Sequence, residues 1–156
     1  MKIVVFSVGD KEYGADIIQV REVIRMRPVI SIPDVADFVE GVVSLRGKII
    51  TLINLRVKLG LAKQKLQKTN RIIITQFNEH MAGVIVDNVS GVLNITQEAI
   101  TMPDDMLKGA DYLLGVARRE KRLILIVDIL KLLSHDAAKS IQKVQESIEV
   151  RKKSSK

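Results

Sequence analysis

The chain contains no cysteine and no tryptophan, and only three Phe and two Tyr among its 156 residues. Without cysteine there is no disulfide, no thiolate nucleophile and no Cys-liganded zinc, a composition that fits a reducing compartment. So few rings leave Ile, Val and Leu to fill the core, and their β-branching favours pleated packing over helices. Histidine is nearly as scarce. His80 lies in a turn and His135 stands beside Asp136, and neither has partners spaced for a Ser-His-Asp triad or a metal site. Asp104-Asp105 follows Met102-Pro103 and reads as turn residues rather than a catalytic carboxylate pair. A Gly-rich phosphate loop is also missing, because Gly41 and Gly47 flank a strand rather than a strand-to-helix elbow. The longest uninterrupted apolar run, Leu123–Val127, falls far short of a membrane span. The opening MKIVVFSVGDKEYG reads as a strand, not a signal peptide, since no cleavage pattern of small residues follows. The sequence therefore predicts no catalytic residue, no metal, no cofactor, no small-molecule substrate and no direct membrane insertion.

What is present is a globular composition, 47% apolar, with a net charge of +7. Residues 135–156 hold six Lys and Arg against three acids, so the tail carries much of the excess and the remainder is only mildly basic. A nucleic-acid-binding tandem small barrel is the alternative this charge raises. Lys63, Lys65, Lys68 and Arg71 in one loop, and Arg118, Arg119, Lys121 and Arg122 at one tip, could track phosphates. Against it, single-strand binders offer exposed aromatic platforms, and none of the three Phe lies in a charged, exposed strand context.

The chain also repeats itself. Gly41–Leu59 has an ungapped counterpart at Gly115–Leu133, offset by 74, and Ile3–Ile24 has one at Ile72–Leu93, offset by 69. Two blocks in the same order, differing by one five-residue insertion, suggest a duplication. A doubled module has a junction, and junctions are common binding sites. Alternation and turn signals predict strands at Ile3–Val8, Tyr13–Ile17, Val20–Arg25, Val42–Leu45, Ile49–Asn54, Ile72–Phe77, Ala82–Val86, Val89–Ile95, Tyr112–Arg118 and Arg122–Asp128. Asp34 is placed to cap a helix through Glu40, helical turns are expected at Leu55–Leu59 and Ile129–Leu133, and Leu61–Asn70 is a polar loop. Ala137, Ile141, Val144 and Ile148 lie at helical spacing, predicting an amphipathic C-terminal helix ahead of a frayed basic end. Many short strands without crossover helices point to an all-β fold, either small barrels or a sandwich.

The copies differ where function would show. Glu22 aligns with Gly91, and Arg46-Gly47 with Glu120-Lys121, so the first copy holds charges that the shared fold does not require. An internal Glu22–Arg46 ion pair, or two separately solvated charges, is the bland account. A functional one would make these charges part of a binding surface.

GVVSLRGKIITLINLRVKLG closely resembles the signature segment of the bacterial chemotaxis coupling proteins, the CheW family. YGADIIQVREV, GVIVDNVSGVL and GVARREKRLILIVDILKLL resemble its tyrosine–glycine strand leading to Val-x-Glu, a second-half strand and its last hairpin and helix, in the family's order over roughly Val4–Leu133. Asn54 departs from a common Asp but keeps its hydrogen-bonding shape. The resemblance implies two five-stranded SH3-like barrels packed side by side with short helices, intertwined as a single domain over residues 1–134. One barrel is expected near residues 13–70, the other near 1–12 with 71–134, followed by the helix and basic tail of 135–156. It also implies a non-enzymatic cytoplasmic adaptor. In that family the adaptor links the cytoplasmic tip of chemoreceptors to the regulatory domain of the histidine kinase CheA, in membrane-associated arrays. Carried over by position, Val20, Glu22, Gly41, Val42 and Arg46 are the expected receptor-facing residues, whereas no kinase-contacting residue can be assigned. Without phosphotransfer or ATP-site segments, a standalone adaptor is expected rather than the regulatory domain of a kinase.

Overall fold

The computed structural model describes residues 1–102 and 112–133. The turn at Pro103-Asp104-Asp105, His135 and the helix and basic tail expected over 135–156 lie outside them. Four antiparallel hairpins are closed by two-residue turns. β1 (Lys2–Val8) meets β2 (Lys11–Asp16), β4 (Val39–Leu45) meets β5 (Lys48–Asn54), β6 (Arg71–Phe77) meets β7 (His80–Val86), and β10 (Leu113–Arg119) meets β11 (Arg122–Val127). The first turn residues, Gly9, Arg46, Asn78 and Glu120, all have φ between 49° and 65°, as hairpin twist demands of two-residue loops. Between the hairpins lie β3 (Glu22–Arg25), β8 (Asn88–Asn94) and the two-residue β9 (Ile100–Thr101). Helices α1 (Leu55–Lys58) and α2 (Ile129–Leu132) follow β5 and β11.

These strands form a five-stranded sheet, ordered β3-β6-β7-β5-β4, and a six-stranded one, ordered β8-β1-β2-β11-β10-β9. Both curl into small barrels, because the chain beyond each edge strand returns to the opposite edge. After β3, Ile30 exchanges two 2.9 Å backbone hydrogen bonds with Val42 of β4. After β8, β9 pairs with β10 at Val116 and Ala117.

The sheet membership corrects the expected division at residues 13 and 70. β2 stays with β1 in the six-stranded barrel, and β6 and β7 belong to the five-stranded one. The reason is local, since a two-residue turn forces its flanking strands to pair with each other. Whole hairpins are therefore exchanged. The 69-residue offset relates β1–β2 to β6–β7, and each sits in the barrel built otherwise from the opposite repeat.

Packing explains the continuous apolar runs. Val43, Leu45, Ile50, Leu52, Ile72 and Ile74 fill the five-stranded barrel, and Ile3, Val5, Ile124 and Ile126 the six-stranded one. The opposite faces of the shared strands, with Phe6, Val8, Ile53, Ile73, Val84 and Val127 among them, form a third core between the barrels. Strands buried on both faces lose their polar alternation. Each large side chain so buried contributes about 1.5–3 kcal/mol of transfer free energy, so the inter-barrel layer welds the two units. The helix expected over Asp34–Glu40 is not formed. Asp34 adopts φ 60°, Ala36 O accepts from Val39 N at 3.0 Å, and β4 starts at Val39, whose partner Ile53 offers a ladder that a helix would forfeit.

Candidate functional site

The chain passes from the six-stranded to the five-stranded barrel through Ile17–Arg21. Its first three residues form a 3₁₀ turn capped by Asp16, whose Oδ1 accepts from Ile18 N at 3.1 Å. The turn is tied down on both sides. Thr75 Oγ1 donates to Gln19 O at 2.7 Å and Arg21 N to Ile74 O at 2.8 Å, both on β6. Gln19 Nε2 donates to Asp128 Oδ1 at 2.9 Å, and Ile129 N donates back to Gln19 Oε1 at 3.0 Å, at the start of α2. Val20 rests half-buried on the inter-barrel core, while Ile18 is 87% exposed.

Glu22 opens β3 opposite Ile74, and its carboxylate pairs with the guanidinium of Arg46 at the β4–β5 turn. The two charges separated by 24 residues are thus brought together at the surface, Arg46 with 68% of its side chain exposed and Glu22 with 30%. Exposed pairs of this kind contribute only about 0.2–1 kcal/mol, so exchanging one partner for another costs little. Arg27 Nη1 donates to Ser44 O at 2.9 Å nearby, bracing the turn's strand.

Gly41 and Val42 lie elsewhere in the same construction. Both are buried, Val42 with 6% exposure. Gly41 has φ 147°, and a Cβ there would stand 2.1 Å from Ile30 O, so only glycine admits the returning strand. Their observable effect is to hold Ile30, 66% exposed, in backbone pairing along the edge of β4. Val20, Glu22 and Arg46 therefore reach the surface, whereas Gly41 and Val42 are frame. Sequence reasoning missed Gln19, Ile18 and Ile30. The apolar pair Ile17-Ile18 at the end of a strand was the available signal for an exposed crossing.

Asn54 caps α1, accepting from Val57 N at 3.3 Å, and Asp128 caps α2, accepting from Lys131 N at 3.1 Å. That shared task explains why amide and acid interchange at this place in the repeats. The basic groups weighed for phosphate binding are partly engaged internally. Arg122 grips Glu12 with two bonds of 2.9 and 3.0 Å, Arg119 donates to Asn94 O, and Arg71 donates to Lys68 O and Asn70 O. Glu12 holds the Arg122 guanidinium pKa above its usual value. Burial, with Tyr112 and Asp10 nearby, raises that of the Tyr13 phenol. A concavity of about 810 Å³ between the six-stranded barrel and the chain following α1 is lined by Val8, Tyr13, Leu59, Leu61, Leu123 and Leu125 among others, and none of the five predicted residues lines it. Among the described residues no cluster of His, Cys, Asp or Glu could hold a metal ion, and no helix is long and apolar enough to cross a membrane.

Comparison with known proteins agrees with this architecture. Residues 2–137 match the model of the CheW-like domain. A chemotaxis protein CheW of Klebsiella aerogenes is 33% identical over 94% of this chain and 89% of its own length. One of Bacillus subtilis is 29% identical over 89% of this chain and 90% of its own. The crystal structure of the scaffolding protein TtCheW from Thermoanaerobacter tengcongensis superposes with a TM-score of 0.78 at 36% identity, covering 87% of this chain and 94% of that one. With two hairpin-exchanged barrels and a family match across both, the chain belongs to the CheW-like family.

Proposed function

We propose that this chain is a non-enzymatic chemotaxis adaptor, linking the cytoplasmic tips of transmembrane chemoreceptors to the regulatory domain of the histidine kinase CheA. It works in the cytoplasm, held in membrane-associated receptor arrays. The observation that carries the reading is the match of residues 2–137 to the CheW-like domain, spanning both barrels. The local physics is compatible with it. Exposed Ile18 and half-buried Val20 offer apolar area to a helical hairpin, and Glu22 with Arg46 supplies charges that fix its register. Arg suits that role because its planar fork can hold a carboxylate or several carbonyls, where Lys acts as a point charge. Gly41 and Val42 serve the same surface from beneath by placing Ile30 and the start of the Arg46 hairpin.

Co-sedimentation of the full chain with a receptor cytoplasmic fragment and the kinase tests the reading. Ternary assembly, reduced by Arg46→Ala in a chain that melts normally, is the expected result. Absence of assembly with both partners at saturating concentration overturns it. The nucleic-acid alternative separates by salt. Oligonucleotide binding through the basic loop and tip would fall by orders of magnitude between about 50 and 200 mM salt, and assembly with the kinase would not.

A further inference from the structure

Two connections carry the described chain between the barrels: residues 17–21, and the single residue Asp87 between β7 and β8. Asp87 joins groups from both barrels. Its Oδ2 accepts from Gly9 N at 2.8 Å, in the β1–β2 turn of the six-stranded barrel. The same oxygen accepts from Arg56 Nη2 at 2.8 Å, on α1 behind the five-stranded barrel, where the Arg56 side chain is only 15% exposed. Asp87 N donates to Ser7 O at 2.9 Å, and Asn70 Nδ2 donates to Asp87 O at 3.2 Å. At the other crossing Gln19 makes the corresponding bridge, its backbone to Thr75 and its side chain to Asp128.

The apolar core between the barrels resists their separation, but the hydrophobic effect is non-directional, and shape complementarity alone holds the angle less sharply than a directed bond. Charge-assisted hydrogen bonds do have direction. We propose that Asp87 is a positioning residue: by pinning the β1–β2 turn of one barrel to Arg56 of the other, it fixes the angle between the barrels and so the shape of the inter-barrel surface offered to receptor helices. Its importance for binding rests on the receptor reading above; the pin itself does not.

Because the chain has no cysteine, two spin labels can be placed uniquely, by Lys48→Cys on the five-stranded barrel and Lys121→Cys on the six-stranded one, and their separation read by pulsed EPR in the full chain. Asp87→Ala is expected to shift or broaden the distance distribution and to weaken co-sedimentation with the receptor fragment about tenfold. Asp87→Asn, which keeps an acceptor for Gly9 N but loses the charge facing Arg56, should fall between. Arg56→Ala approaches the same pin from its other end and leaves the crossing residue untouched. An unchanged distribution in both Asp87→Ala and Arg56→Ala overturns the proposal, as does weaker binding at unchanged distances, which would make Asp87 a direct contact. A shifted distribution in a chain whose parent fails to bind the receptor fragment supports the pin and counts against the receptor reading alone.

Discussion

The two repeats of this chain solve one folding problem twice and then diverge at one edge. Each supplies a hairpin to the other's barrel, a helix-capping Asn54 or Asp128, and a glycine, 41 or 115, under a returning strand. Only the first repeat sets a charge pair at its edge, Glu22 with Arg46. The second has Gly91 and Glu120 at those places and leaves Val92, the counterpart of Val23, 53% exposed. Since the second barrel closes without the pair, the pair is not a requirement of the fold. The difference separates what folding needs from what only the first edge carries.

The largest expected effect strikes what the repeats share. Gly41→Ala places a methyl group 2.1 Å from Ile30 O at φ 147°, and should cost more than about 3 kcal/mol in urea unfolding. Gly91→Ala has open space around it and a φ of 142°, so its cost should be about 1–2 kcal/mol from backbone strain alone. Equal losses at the two sites would show that strain, not the close approach, makes Gly41 necessary.

Next comes the edge where the repeats differ. Arg46→Ala should weaken receptor binding by about 1–3 kcal/mol, the range for a hydrogen bond to a charged group, with little change in melting temperature. Glu120→Ala at the equivalent turn should change neither binding nor melting by a comparable amount. A collapse of the Arg46→Ala melting temperature with normal binding by the folded remainder would make the pair structural.

A smaller effect concerns turn chemistry. Glu120 holds φ 57° in a Glu-Lys turn, where the first repeat has Arg46-Gly47. Glu120→Gly should raise stability by about 0.5 kcal/mol by removing left-handed strain, read as a shift in the urea midpoint; a fall would show that its side chain matters more than its backbone.

The smallest effect is a pH dependence centred on one phenol in the inter-barrel core. Burial first, then Tyr112 and Asp10, raises the Tyr13 pKa. The folded chain then keeps that proton where the unfolded chain has lost it, so stability should decline as pH rises past about 10, and Tyr13→Phe should flatten that part of the slope. An unchanged slope in Tyr13→Phe would assign it to other groups.

Much of this was legible residue by residue. The hairpins, both terminal helical turns and the repeat offset follow from alternation, turn residues and caps, all of which act within a few positions. The hairpin exchange was harder to read. Ile3-Val4-Val5-Phe6 is apolar on both faces, and nothing in such a run tells which face fills a barrel and which the layer between barrels. The helix expected after Asp34 failed for a related reason, because the long-range pairing of Val39 with Ile53 outweighs a local cap.

By itself, the sequence determined which short segments become strands, where they turn, and that the pattern occurs twice, because steric turn preferences and period-two burial are properties of neighbouring residues. Tertiary structure alone decided that the repeats trade hairpins, that Glu22 and Arg46 meet across 24 residues, and that Gly41 and Val42 are buried. Those outcomes depend on which apolar face meets which other face, and hydrophobic burial rewards area without naming the partner.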